Sequence, residues 1–208
     1  MRVEDPEVFA ETHRTVLALI AEGLIDGLRI DHPDGLADPV AYLERLRSHG
    51  VQRVWVEKIL EGDEQLRDWP VLGTTGYEFA SDVTALFVDP AGEAAMTELY
   101  ARLAGRREPY AAVRDAARLE QARREFAAEL AKLRSPYPHA GIEEAVASLG
   151  VYRTYVQPAR GPVARADREA LAGLPEDLRR VLTLDERGHD EFVVRFQQTT
   201  GPVMAKGA

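Results

Sequence analysis

The chain has 208 residues, 45% hydrophobic and 29% charged, enough for one large domain or two small ones with real cores. Its net charge of −9, with basic residues scattered among acids, offers no stripe for nucleic acid, and no apolar run approaches the ~20 residues of a membrane span. The absence of cysteine excludes disulfides, zinc–thiolate sites and thiol nucleophiles, and with an opening MRVEDPEVFAETHR that lacks a signal-peptide pattern it suits a cytoplasmic protein.

Apolar residues at helical spacing (Val8, Phe9, Val16, Leu17, Leu19, Ile20) predict a helix over 7–22, with Asp5 and Pro6 at its start and Gly23 as its stop. Leu24 to Ile30 reads as a buried strand, and Asp31 to Asp38, rich in Asp, Gly and Pro, as a loop. A second helix is expected to His49, closed by Gly50, and Val51 to Glu57 as a second strand. Strand, helix and strand with such short connections form a parallel unit, whose chemistry gathers at the carboxyl ends of its strands. Asp31 and Glu57 both fall there.

Residues 61–90 carry turn and loop chemistry (WPVLGTTGYEF, then FVDPAG). Beyond them Ala, Glu, Arg and Leu dominate, and helices are predicted over Glu93–Leu103 and Tyr110–Leu133, the second long and charged on one side. Ser135 to Pro138 ends it. Ile142–Leu149 reads as a short helix, Val151–Val156 as an extended alternating segment, and Pro158–Pro162 as a loop. Two further short helices are expected over Arg165–Leu171 and Glu176–Leu182, with Pro175 at a first turn. The expected organisation is a partial α/β barrel segment over 1–90, a mainly helical domain over 91–190 and a return segment over 191–208. Two parallel strands cannot bury their faces alone, so the α/β part is expected to be incomplete as it stands.

The string GLRIDHPDG carries the chemistry. Strand alternation puts Arg29 and Asp31 on one face, where the guanidinium keeps the carboxylate ionised and aimed, as a glycosidic nucleophile requires. Glu57 ends the next strand among Val54, Trp55, Val56, Ile59 and Leu60, apolar surroundings that favour a general acid. Carboxyls on neighbouring strand ends can sit ~5–5.5 Å apart, the separation of retaining glycosidases. The plainer alternatives are a structural ion pair for Arg29–Asp31 and an exposed strand end for Glu57. His32 could join Asp31 and Asp34 at a metal, but the spacing matches no standard zinc motif. Trp69, Tyr77 and Phe79 could be sugar-stacking platforms or core plugs.

GLRIDHPDGL, WVEKIL and WPVLGTTGYEF, with LFVDPAGE, VYRTYV and RFQQTTGPVMAKG further on, resemble the maltooligosyl trehalose synthases of the α-amylase superfamily, and the resemblance spans essentially the whole chain. It implies a (β/α)8 barrel with large helical insertions, no metal and no redox or nucleotide cofactor. It makes Asp31 the nucleophile, Arg29 its partner, Glu57 the acid/base and His32 part of the glucose-binding pocket. Trp69 and Tyr77 become candidates for enclosing the sugar, and Arg195 and Lys206 for reaching its hydroxyls. The implied reaction turns the reducing-end α-1,4 bond of a maltooligosaccharide into an α,α-1,1 bond, and a trehalose-releasing hydrolase is the implied functional partner. The family's third carboxylate, in a Thr-His-Asp string, lies beyond the MAKG segment, so these 208 residues alone are expected to be inactive. A related α-glucan hydrolase and a non-catalytic helical module are the other readings.

Overall fold

The structure, a computed structural model, describes residues 2–207. Helix α1 spans Pro6–Ala21; Pro6 opens it and the Asp5 carboxylate accepts from the amides of Glu7 and Val8. It stops at Gly23 as expected, but the strand that follows is shorter than expected. Gly23 takes φ +69 and the Leu24 amide returns to the Leu19 carbonyl, so Leu24 is exposed and the strand β1 covers only Leu28–Ile30. A short 3-10 turn, Pro33–Gly35, and helix α2, Pro39–Ser48, follow, with Asp38 capping the Ala41 amide. Strand β2 is Val54–Val56.

A third strand, β3 (Gly73–Thr74), lies inside the segment expected to be loop. The three strands form one parallel sheet in the order β1-β2-β3, with Arg29 opposite Trp55 and Trp55 opposite Gly73. Helices α1 and α2 cover the same face of this sheet. Phe9, Leu17 and Ile20 from one and Tyr42, Leu43 and Leu46 from the other meet Leu28, Ile30, Val54 and Val56. The opposite face, carrying Arg29 and Trp55, stays exposed.

Helix α3, Tyr77–Ala85, also falls where a loop was expected, and none of its residues is buried. Then come α4 (Glu93–Ala104), α5 (Tyr110–Arg124), α6 (Ala127–Arg134), α7 (Ile142–Ala147), α8 (Arg165–Leu171), α9 (Glu176–Leu182) and α10 (Asp190–Lys206). The expected single helix to Leu133 breaks at Glu125–Phe126, where the Phe126 ring turns onto the helical core. The tail over 191–207 is almost wholly helical. α10 runs through Pro202 and packs on α5, α6 and α7. Its residues Phe192, Phe196 and Val203 join Leu130, Leu133, Ile142, Leu178 and Val181 in a second core cluster.

Val151–Val156 is not a strand. The side chain of the buried Gln197 takes both backbone groups of Val156, accepting from its amide at 2.6 Å and donating to its carbonyl at 2.9 Å. Tyr155 donates its amide to Asp167. Side chains thus do for this segment what a neighbouring strand would do in a sheet.

Candidate active site

Because Ile30 pairs with Val56 in parallel register, Asp31 and Glu57 occupy matching positions one residue past adjacent strands. The Glu57 amide still donates to the Ile30 carbonyl at 2.8 Å, so the ladder extends to the acid itself. Alternation puts Arg29 and Asp31 on one face, and Arg29 Nη1 donates to Asp31 Oδ1 at 2.7 Å. Both side chains are more than half exposed, so this pair orients the carboxylate and adds little stability.

His32 adopts a left-handed conformation, φ 46 and ψ 53. That turn points its amide across to β2, where it donates to Glu57 Oε2 at 3.1 Å. One short segment therefore touches both carboxylates, holding one through Arg29 and the other through a main-chain donor. The imidazole folds back over Gly35, where an added Cβ would approach its Cδ2 to 2.8 Å. Non-glycine residues in this region carry backbone strain and cluster at functional sites.

Behind this loop lies a buried polar cluster that inspection of the strings did not single out. The Asp34 side chain is buried, accepts from the Tyr155 hydroxyl, and has Lys58 Nζ 3.6 Å from Oδ2. Lys58, the residue after Glu57, is buried too; it reaches Glu64 at 3.0 Å and the Ile59 carbonyl at 2.8 Å. Fully buried Arg153 donates through Nη1 to the carbonyls of Asp34 and Leu36 at 2.7 and 2.6 Å, and stacks over the Tyr155 ring. Gln198 donates to the Gly35 carbonyl and Gln157 to that of Ala37, so four consecutive carbonyls, 34–37, are held by side chains from the helical half. Burial, followed by the charge of Asp34, pushes the Tyr155 hydroxyl well above its usual range, which keeps it a hydrogen-bond donor. Two signals were present in the sequence: an unexplained Lys beside Glu57, and the Arg and Tyr of VYRTYV.

The hydrogen bonds of the site join Arg29, Asp31, His32 and Glu57, and leave the other expected binding residues outside. Trp69 is buried in the sheet's core, edge-on to Tyr155 at 5.1 Å, and borders a hollow with Gln52, Val71 and Leu72 at the amino ends of β2 and β3. It is a core plug, at the end of the sheet away from the carboxylates. Tyr77 is exposed at the start of α3. Arg195 bonds Glu191 on its own helix at 2.9 Å, and lines a cleft of about 730 Å³ with Gly35, Leu36 and Gln198 that neither Asp31 nor Glu57 borders. Lys206 is exposed in the last turn of α10. Among the described residues no group of three or more His, Asp or Glu could hold a metal ion, and no helix is long and apolar enough to cross a membrane.

No family model matches the chain. A Mycobacterium tuberculosis protein, provisionally named a maltooligosyl trehalose synthase, is 36% identical over 99% of the chain, which spans 29% of that relative's length. The solved maltooligosyltrehalose synthase of Arthrobacter ramosus is 35% identical, with a TM-score of 0.80 over 99% of this chain and 29% of its own. The structure of a hypothetical maltooligosyl trehalose synthase from Sulfolobus tokodaii is 28% identical, with a TM-score of 0.83 over 98% of this chain and 27% of its own. The resemblance read from the sequence is thereby borne out: these curated relatives and these two solved structures carry that name, and the match covers under a third of each.

Proposed function

We propose that this chain is the part of a maltooligosyl trehalose synthase that supplies the nucleophile and the acid/base of an intramolecular glucosyl transfer. The observation that carries the reading is the placement of Asp31 and Glu57 at matching positions past adjacent parallel strands, the first held by Arg29 and the second by the His32 amide. Asp31 attacks the anomeric carbon of the penultimate glucose unit at the reducing end while Glu57 protonates the departing glycosidic oxygen, giving a glycosyl ester of the remaining oligosaccharide on Asp31 and a free glucose. That glucose turns in place and presents its anomeric hydroxyl. Glu57 takes its proton as the hydroxyl oxygen displaces Asp31, so two inversions give net retention and an α,α-1,1 bond. Holding the glucose and excluding water are what separate transfer from hydrolysis.

The one-sided sheet supports a barrel in the complete protein. Both covering helices lie on one face, whereas a doubly wound sheet is covered on both. The exposed face with Arg29 and Trp55 would then line the barrel interior, with the catalytic carboxylates at its carboxyl-terminal mouth. In this reading residues 1–90 belong to the barrel, 91–190 form a helical insertion and 191–208 return towards the barrel. His32, Tyr77, Arg195 and Lys206 are candidates for contacts to the sugar once the remaining strands close the site. Such an enzyme works in the cytoplasm, and its trehalosyl product would serve a hydrolase that releases trehalose.

The test is product analysis with the full-length protein that contains this segment. Maltopentaose should yield a non-reducing product with a terminal trehalosyl unit. New reducing ends alone would identify an α-glucan hydrolase on the same carboxylates and overturn the transfer reading.

A further inference from the structure

We propose that the buried Lys58–Asp34 pair positions the two catalytic carboxylates relative to each other, a role that rests on Asp31 and Glu57 being nucleophile and acid/base. The covalent arrangement is the starting point. Asp34 is three residues past Asp31, and Lys58 directly follows Glu57, so an ion pair between them ties the two catalytic strand ends together behind the site. Glu57 is only half-buried, while the Lys58 side chain is 1% exposed and that of Asp34 5%.

The pair has a second fixed end. Asp34 accepts from Tyr155, and its carbonyl and that of Leu36 are held by Arg153, all from the helical half. Lys58 is anchored by Glu64 at 3.0 Å and lies over the rings of Tyr152 and Tyr155 at 5.7 and 6.0 Å. The loop between Asp31 and Asp34 is short and strained at His32, so it has little slack with which to absorb a shift of Asp34. A displacement there moves the His32 amide off Glu57 and turns Asp31 relative to Arg29.

Stability alone is a poor account of this arrangement. A buried ion pair costs desolvation that a well-packed apolar pair of similar volume avoids, so retaining charge here adds little to folding. What the charges supply is a fixed separation and orientation. A misplacement of ~1 Å at reacting groups costs about a hundredfold in rate. The two residues touch no reacting atom; they act through Asp31 and Glu57 and are positioning residues.

The experiment uses the full-length protein that carries this segment, with Asp34→Asn, Lys58→Met, the double substitution and Lys58→Arg. For each, kcat and KM for maltopentaose, the ratio of trehalosyl product to free glucose, and thermal stability are measured per folded site. Positioning predicts that Asp34→Asn lowers kcat about a hundredfold with KM changed less than about threefold, and raises the share of free glucose. The double variant should be no worse than the weaker single, because the two act as one unit, and Lys58→Arg should recover part of kcat. Should Lys58→Met fail to fold, Asp34→Asn, which keeps shape and an acceptor oxygen, decides alone. Folded variants with kcat within about threefold of the parent and an unchanged product ratio would overturn the proposal, since a purely structural role lowers stability without altering products. If the unaltered protein yields only new reducing ends, the transfer reading fails, yet the same kcat comparison on hydrolysis still decides the positioning role.

Discussion

Arg29, Asp31, His32 and Glu57 form a set in which each member constrains another, and the tightest constraint is steric. The His32 ring occupies the space above Gly35, where a Cβ would come within 2.8 Å of Cδ2 and 3.0 Å of Nε2. Gly35→Ala should push the imidazole aside and loosen the amide that reaches Glu57, lowering kcat/KM of the parent enzyme about 10- to 100-fold with the fold intact. Steady-state kinetics with a circular dichroism control would check it. The carboxylates themselves should be far less forgiving. Asp31→Asn and Glu57→Gln are each expected to cost on the order of a thousandfold or more in kcat with maltopentaose still bound, as read by kinetics and equilibrium binding. Near-normal turnover in either would remove that residue from the mechanism. A different residue reports on the pH limits of the scaffold. Burial, reinforced by His49, lowers the His13 pKa, although the bond to the Phe9 carbonyl acts the other way. A histidine kept neutral by the fold contributes stability that is fully present above its unfolded value, about 6.5, and is lost as pH falls towards the lower folded value. Amide-exchange protection of α1 should therefore fall as pH drops below the ordinary histidine value, about 6.5, and fall less in His13→Gln.

Elements were legible where a local signal decides them. The starts of α1 and α2 follow from an Asp cap with Pro behind it, α9 from Pro175 at its start, and the parallel β1–α2–β2 unit and α8 from the residue pattern alone. Three features were not legible, for physical reasons. β3 has two residues, Gly73 and Thr74, too few for any alternation to register, and it exists because the amides of Leu72 and Thr75 reach the carbonyls of β2. The string VYRTYV alternates like a strand, yet the Gln197 side chain supplies its partners from 41 residues away. The buried cluster around Asp34 and Lys58 depends on Arg153 and Tyr155, which lie 119 and 121 residues beyond Asp34, and nothing local marks those separations. The site itself was half legible. The hydrogen bonds link Arg29 to Asp31 and His32 to Glu57, whereas Trp69 lies in the core with Val54 and Val56. At this scale Gly207 provides a clean test. A Cβ there would lie 2.5 Å from the Cα and 2.9 Å from the amide nitrogen of Arg118, so the end of α10 lies directly against the backbone of α5. Gly207→Ala should cost about 1–3 kcal/mol in the helical core, measured by denaturant unfolding, because backbone cannot yield as a side-chain tip does.

At the scale of the whole molecule two surfaces stay open. The sheet face with Arg29 and Trp55 is uncovered, and α3 to the start of α5 present Phe79, Leu86, Phe87, Met96, Leu103 and Tyr110 to solvent, Leu86 and Phe87 more than 80% exposed. An apolar surface of that kind is covered in a working protein. The relatives that match this chain are more than three times its length, since it spans 29% of them. From this we expect the 208-residue chain alone to form no trehalosyl product from maltopentaose, with Asp31→Asn as the blank. The proposed nucleophile and acid/base are both present and hydrogen-bonded, Asp31 to Arg29 and Glu57 to the His32 amide, so the loss would not lie in these two groups. It would lie in what surrounds them. Asp31 has a side chain 74% exposed, and a carboxylate in bulk water must reorganise its hydration before it can attack. An open strand end also admits water wherever the leaving glucose would have to wait, so even a formed glycosyl ester would be hydrolysed rather than transferred. Fluorescence of a dye that binds apolar surface should meanwhile rise on adding the isolated chain, and fall when Leu86 and Phe87 are both changed to Ser. Trehalosyl product from the isolated chain, above the Asp31→Asn blank, would mean that the three strands and ten α-helices of the described residues already enclose a working site and that further strands serve only binding.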